Sequence, residues 1–224
     1  MSLRHEPDVS KAAWFAALDE PWAQLSCFGP SGFQRYARLF PPVPHWIDVT
    51  EREDVTSLEG DLPDPELKRL ANVLARHTST PEDCFFALWD GNGEIHGGSA
   101  VGVLSPRRSR WRRSRRTTVP PAFPREVMAA PRVSIPHRSF LLFAGPLAEA
   151  GRWGAADRLP GAPRRISSPN LMWPADHAWF VATEIDQPWT GIGGTAALFD
   201  DLISTEGLDV EPTVLSEHPP YWRA

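Results

Sequence analysis

The chain has few of the residues that build disulfide frameworks, metal clusters or membrane spans. Only two of its 224 residues are cysteines, Cys27 and Cys84, too few for a disulfide scaffold or a cysteine zinc site. None of the seven histidines stands three or four residues from another, so the helical spacing of metal ligands is missing. No apolar run approaches the ~18 residues of a membrane span. We therefore expect a cytoplasmic protein that has no membrane association, metal site or cofactor.

Lysine is also scarce, because 21 of the 23 basic residues are arginine. The formal net charge is −5, but it is unevenly distributed. Residues 105–138 contain ten arginines and a single acid, Glu126, which gives a local charge of +9. The rest of the chain carries −14. The sequence thus describes an acidic body with one basic insertion, whereas typical nucleic-acid-binding domains are basic as a whole.

Proline, glycine and tryptophan are abundant, at 24, 16 and 10 residues. So many helix-breaking residues exclude a long coiled coil or a helical solenoid. The length and the 42% hydrophobic content suit a globular protein. We predict a single α+β domain over residues 1–224, with an antiparallel or mixed sheet, about three covering helices and long Pro/Gly/Arg-rich loops. Residues 105–136 form an Arg/Pro-rich surface insertion in this prediction, and 146–172 form a second long loop.

Helix signals are clearest over residues 64–77. Asp64 suits the N-cap, Pro65 suits the first helical position, and the apolar residues from Leu67 to Leu74 recur at helical spacing. Further helices are predicted near 10–19 and over 195–205, the latter capped by Thr195. A short helix is predicted from Ser31 to Phe40, ended by the prolines that follow.

Strand signals are short apolar runs bounded by turn residues. They predict strands at 84–89, 139–143 and 178–185, together with a short strand at 46–49. The glycines at 91 and 93 predict a turn after the first of these strands, with a returning hairpin arm from Ile95. Residues 210–214 are predicted as an edge strand, where Pro212 is tolerated.

The most site-like pattern lies near the end of the chain. Glu184 and Asp186 fall on one face of the predicted strand, and a glycine-rich stretch leads from there to a helix start at Gly193, Gly194 and Thr195. Backbone N–H groups at a helix start bind anions, and two carboxylates can hold a divalent cation. The pattern therefore allows a nucleotide- or phosphate-binding enzyme, although no lysine follows the glycines. The structural alternative is a turn and helix cap, with both acids paired to Arg138 or Arg165.

Several tryptophans stand beside proline, as at Trp22, Trp173 and Trp189, and indicate an aromatic rim. Tryptophan dominates binding hot spots, so this rim favours an interaction surface that also includes Trp89, Asp90 and the two acids. The alternative is that these rings pack long loops onto the sheet.

The basic tract provides a weaker signal for nucleic acid. Seven arginines in ten residues can bind phosphates, and an embedded tryptophan can stack on a base. The alternative is a solvated loop that offsets an acidic body. The tract consists of Arg107, Arg108, Arg110, Trp111, Arg112, Arg113, Arg115 and Arg116.

Five blocks of the sequence, at 36–41, 80–82, 86–91, 142–147 and 168–174 continued by 178–186, resemble a family of actinobacterial proteins of unknown function. That resemblance spans most of the chain and implies no activity. The layout of a Pro-ended early helix, an aromatic strand and a glycine turn is also similar to immunity and interaction modules of the SMI1/KNR4 kind. We therefore expect a non-enzymatic interaction module with a protein partner, an immunity-like role being one form of it. The enzyme and the nucleic-acid binder remain as alternatives.

Overall fold

The computed structural model describes residues 2–43, 59–101, 116–215 and 220–221. Within them the chain forms an antiparallel β-rich fold with helices. The main sheet has nine strands in the described residues, ordered β1-β7-β3-β8-β9-β10-β2-β11, with β6 also paired to β7. Its strands are β1 (Arg4–His5), β2 (Arg35–Phe40), β3 (Cys84–Trp89), β6 (Val133–Ile135), β7 (Arg138–Gly145), β8 (Leu171–Pro174), β9 (Phe180–Ala182), β10 (Thr190–Gly194) and β11 (Asp209–Thr213).

A separate two-stranded sheet pairs β4 (Gly98–Val101) with β5 (Arg116–Val119). The helices are α1 (Ala13–Ala16), α2 (Trp22–Phe28), α3 (Asp64–Leu74), α4 (Arg125–Met128) and α5 (Ala196–Ser204). Short 3-10 turns occur at Val9–Ala12, Ala75–His77 and Leu147–Glu149.

Side chains alternate between the two faces along each strand, and both faces of the central strands are buried under apolar clusters. On one face Phe86 and Leu141 pack with Leu70 of α3 and Leu198 of α5. On the other face Phe85, Leu142 and Trp173 pack with Phe15 of α1 and Leu25 of α2. The helices thus form a layer on each side of the sheet.

Several predicted elements are confirmed. The helix over 64–77 is α3 with its 3-10 end, although Pro63 is the N-cap and Asp64 the first helical residue. The strands at 84–89 and 139–143 are β3 and β7, and the edge strand is β11, which pairs with β2 alone among the described strands. The helix at 195–205 is α5, whose cap Thr195 accepts a hydrogen bond from Leu198 N at 3.3 Å. The first predicted helix is shorter than 10–19, and α1 ends at Ala16. The strand predicted at 46–49 lies outside the described residues.

The predicted helix from Ser31 to Phe40 is wrong, because Arg35–Phe40 forms strand β2 inside the sheet. Its alternation explains the difference: Tyr36 and Phe40 pack in one cluster, while Ala37 and Leu39 pack in the core on the other face. The helix in this region is α2, which follows Pro21.

Three other expectations need correction. The strand predicted at 178–185 is limited to β9, and Glu184 and Asp186 lie in the turn between β9 and β10. The chain after Ile95 does not return along β3, since β4 pairs with β5 while β3 pairs with β7 and β8. The stretch at 105–136 is not loop throughout, because its described part contains β5, α4 and β6. Buried residues in it include Phe123, Val127 and Val133.

Candidate functional site

One surface of the protein gathers side chains from α2, the β6–β7 turn and the β9–β10 turn. We call it the Trp22 surface and define it by Trp22, His137, Arg138 and Asp186, with Glu184 beneath it. Arg138 is the first residue of β7 and lies on the same face as Phe140 and Leu142, which is the face that α2 covers. The pairing of Ile135 with Arg138 leaves a two-residue turn between β6 and β7.

That turn holds His137 in an uncommon conformation. Proline at position 136 fixes its own φ near −65°, and His137 has φ 64°, so the pair has the sign pattern of a type II turn. Glycine or asparagine normally occupies such a position, because a positive φ crowds a side chain. The strained conformation displays an exposed imidazole whose ring lies 5.6 Å from the Trp22 ring, edge to face at 83°.

The Arg138 guanidinium links both predicted acids. Its Nε and Nη2 donate to Glu184 Oε1 at 3.0 and 2.5 Å, and Nη2 also donates to Asp186 Oδ2 at 2.8 Å. The guanidinium carbon lies 5.6 Å from the Trp22 ring centroid, within cation–π range. The side chains of Arg138 and Glu184 are 14% and 5% exposed, whereas that of Asp186 is 72% exposed. A buried ion pair therefore supports an exposed carboxylate and a half-exposed indole.

Burial and charge shift the pKa of each group in this ion pair in opposite directions. Burial raises the pKa of Glu184; Arg138 lowers it through its hydrogen bonds and charge, but the net pKa stays above its usual range. For Arg138, burial lowers the pKa, but the hydrogen bond and charge of Glu184, together with Asp186, outweigh it and raise the pKa overall. Arg138 is thus permanently charged and held in one position.

The predicted aromatic rim is wrong for two of its tryptophans. Trp173 is fully buried and stacks between Phe85, at 5.6 Å, and Phe180, at 5.9 Å. Trp189 is 2% exposed and stacks on Phe28 at 5.2 Å. Both rings fill the core against sheet and helix, so they cannot contact a partner.

A second buried arginine explains the position of Trp189. Arg38 lies over the rings of Phe40 and Trp189, at 5.2 and 5.7 Å, and its Nη2 donates to Glu211 Oε1 at 2.9 Å. Arg38 Nη1 and Trp189 Nε1 both donate to the carbonyl of Pro220 at 3.2 Å. These contacts fix the end of the described chain onto β2, which is a structural role.

Trp89 and Asp90 lie at the same end of the sheet as the Trp22 surface, since Trp89 pairs with Phe140, two residues from Arg138. Trp89 is half-buried against the core beneath α1 and α2. Asp90 is paired elsewhere, because its Oδ1 accepts from Arg132 Nη2 at 3.3 Å.

The glycines predicted to hold a phosphate lie in a strand. Gly193 and Gly194 belong to β10, whose backbone pairs with β9 on one side and β2 on the other. The neighbouring Gly191 shows why glycine is needed, since a Cβ there would stand 1.8 Å from the carbonyl oxygen of Cys27 in α2. The glycine-rich stretch therefore lets α2 lie directly on the sheet, and its N–H groups serve the sheet ladder.

Part of this surface was accessible to sequence reasoning. The sequence indicates the tryptophan beside Pro21 and allows pairing of both acids with Arg138 or Arg165, of which Arg138 is the residue found; it does not single out His137. The signal for His137 is the Pro136-His137 pair between the alternating residues Val133–Ile135 and the apolar run that starts at Phe140. In the arginine tract, residues 107–115 lie outside the described residues and Arg116 begins β5, so nucleic-acid binding there stays a prediction.

The described ranges contain no group of three or more His, Cys, Asp or Glu side chains placed to hold a metal ion. None of the helices that the structure describes is long and apolar enough to cross a bilayer. Comparison with protein-family models, curated proteins and solved structures finds no match for the chain.

Proposed function

We propose that the protein is a non-enzymatic, cytoplasmic binding module and that the Trp22 surface contacts a protein partner. The observation that carries the proposal is a 39% exposed indole at Trp22 with Arg138 fixed against it. Binding energy at protein interfaces concentrates in tryptophan, tyrosine and arginine. An exposed indole in contact with a locked arginine matches that composition.

The surface is preorganised, which reduces the cost of binding. Arg138 is held by two carboxylates and His137 by its turn, so neither side chain has to be ordered when a partner arrives. Immobilising a flexible side chain costs roughly 0.5–1.5 kcal/mol at an interface. A partner therefore gains contact area at Trp22 without that cost.

The partner that fits best presents an apolar or cationic group to the indole and a basic group to Asp186. Asp186 is 72% exposed, and the two carboxylates of Glu184 and Asp186 exceed the single positive charge of Arg138 by one. An acidic surface attracts a basic partner over distances of about 10 Å at moderate salt. An immunity-like role, in which the module binds and blocks another protein, is consistent with this chemistry.

The geometry offers less support to the enzyme alternative. Arg138 already forms ion pairs with both Glu184 and Asp186, and the N–H groups of the nearby glycines serve the sheet ladder. A divalent ion at this place would have to displace the guanidinium, and a phosphate would meet two carboxylates.

Affinity capture from cells that express the protein tests the proposal. We expect the wild type to recover a specific protein that is lost with Trp22→Ala and reduced with His137→Gly, which suits the positive φ and removes the imidazole. The matched control is Ile203→Ala on α5, because Ile203 is 51% exposed and lies on a helix covering the opposite face of the sheet. Equal recovery with Trp22→Ala and Ile203→Ala, or no specific recovery at all, would refute the proposal.

A further inference from the structure

The turn after β3 and the base of the β4–β5 hairpin enclose a second feature, a cavity of about 220 Å³. Its walls include Gly93 and Gly98, whose missing side chains leave open space, and the side chains of Glu94, His96, Arg158 and Arg164. This volume is below the ~300–1,000 Å³ of most small-molecule sites, so it suits a compact group.

The guanidinium of Arg164 is fixed in position in this cavity and can bind an anion. Its Nε donates to Ala156 O at 2.8 Å, its Nη1 to Glu94 O at 2.6 Å, and its Nη2 to Pro120 O. A guanidinium has five N–H bonds, so two have no partner in the described part of the chain. The three carbonyls fix the plane of the guanidinium, which leaves one N–H bond on Nη1 and one on Nη2 in a fixed position to meet an anion.

Arg158 is held less firmly than Arg164 and can change its partner. Its Nη1 pairs with Glu94 Oε1 at 3.3 Å, and its side chain is 52% exposed. An exposed pair of this kind is weak, so an anion with two negative charges can compete with Glu94 for Arg158. Two arginines against one glutamate leave the cavity wall positive.

We propose that this cavity binds a phosphate group through Arg158 and Arg164. The group comes either from free phosphate and small phosphate monoesters or from the backbone of a single-stranded nucleic acid. Phosphate is favoured over a single carboxylate because free phosphate and phosphate monoesters offer more acceptor oxygens and up to two negative charges, which suits two guanidinium groups. This site is independent of the Trp22 surface.

Binding of inorganic phosphate and of a twelve-nucleotide oligo-dT, measured by calorimetry at low salt, tests the proposal. Removing a charge-assisted hydrogen bond costs about tenfold in affinity, so Arg158→Gln is expected to weaken phosphate binding by about that factor. Glu94→Gln is expected to strengthen it, because Arg158 is released and the backbone carbonyl that holds Arg164 remains. The control is Arg69→Gln on α3, whose side chain is similarly exposed and paired with Glu66 at 3.0 Å.

Two outcomes support the site and identify the source of the phosphate. Much tighter binding of oligo-dT than of phosphate, lost with Arg158→Gln, indicates a nucleic-acid backbone. Similar affinities for both probes indicate free phosphate or a monoester. The proposal is overturned if the wild type shows no saturable binding, or if Arg158→Gln and Arg69→Gln behave alike while both remain folded by thermal unfolding.

Discussion

At the scale of single residues, the ion pair of Arg138 with Glu184 combines a large energetic cost of burial with a position at the Trp22 surface. Both side chains are largely withdrawn from water, and desolvating two charges cancels much of their mutual attraction. The pair fixes Arg138 under the exposed indole of Trp22. We interpret its role as positional, since a hydrophobic pair would fill the same space without holding a charge there.

Breaking this ion pair tests that interpretation. Arg138→Met leaves Glu184 buried without its partner, so we expect the free energy of unfolding to fall by about 3–5 kcal/mol. The double variant Arg138→Met/Glu184→Leu is expected to recover most of that loss but not partner binding. Urea unfolding measures the first effect and calorimetry the second. A double variant no more stable than Arg138→Met would show that the interpretation of the pair is incorrect.

Gly191 permits the contact between α2 and the sheet because it carries a hydrogen atom where every other residue type carries a Cβ. In Gly191→Ala the new methyl group would collide with the Cys27 carbonyl, and we expect a loss of at least about 3 kcal/mol in unfolding free energy. Gly93→Ala is the matched control, because nothing lies within 4 Å of its added Cβ, and its effect should stay within about 1 kcal/mol. Chemical denaturation of both variants provides the comparison. Equal effects would mean that α2 tolerates displacement from β10.

At the scale of elements, the parts predicted correctly from sequence are those whose local signals agree with their packing. In α3, the proline at the second helical position favours a helix start, and the apolar residues at helical spacing form the face that packs in the core. In β3 and β7, unbroken apolar runs match strands that are buried on both faces. Local chemistry alone was sufficient there.

The elements predicted wrongly are those that depend on distant partners. The spacing of Phe33, Tyr36, Ala37 and Phe40 fits a helix, but pairing with β10 and β11 makes Arg35–Phe40 a strand. The Trp173 and Trp189 rings look like surface residues because proline adjoins them, yet core packing buries them. No sequence signal shows that β10 needs glycine to accept α2, so its glycines resembled an anion site.

The hydrogen bonds of Asp176 connect two loops, and the stability that they provide has a predictable pH dependence. Asp176 accepts from Ser79 N and Oγ, both at 2.7 Å, and from Thr78 Oγ1 at 2.8 Å, linking the segment after α3 to the β8–β9 turn. Burial raises the pKa of Asp176, but these hydrogen bonds outweigh it and the net pKa lies below the ordinary 3.8.

Because the folded-state pKa is depressed, the stabilisation is present above pH 3.8 and is lost as the pH falls toward the folded-state value. Asp176→Asn should therefore lower the melting temperature at pH 7, and the difference from wild type should shrink as the pH drops below 3.8. Thermal unfolding followed by circular dichroism over this range measures the effect. A difference that stays constant with pH would assign the loss to something other than the carboxylate charge.

At the scale of the whole molecule, the part of the fold that the structure describes leaves few surfaces for a partner. Helices cover both faces of the main sheet, and its β11 edge carries Asp209, Glu211 and Pro212, which disfavour the addition of a strand. The Trp22 surface lies where three elements meet and combines an exposed indole with fixed charges. The cavity at the base of the β4–β5 hairpin shares no lining residue with the Trp22 surface and provides a separate positive site.

The most direct test of the central claim is the dissociation constant of the captured partner, measured by calorimetry with purified proteins. A hot-spot residue contributes at least about 2 kcal/mol, so Trp22→Ala should weaken binding by roughly 30-fold or more. The Ile203→Ala control should stay within about twofold of the wild type. A Trp22→Ala protein that is folded and binds the partner as tightly as the wild type would contradict the account.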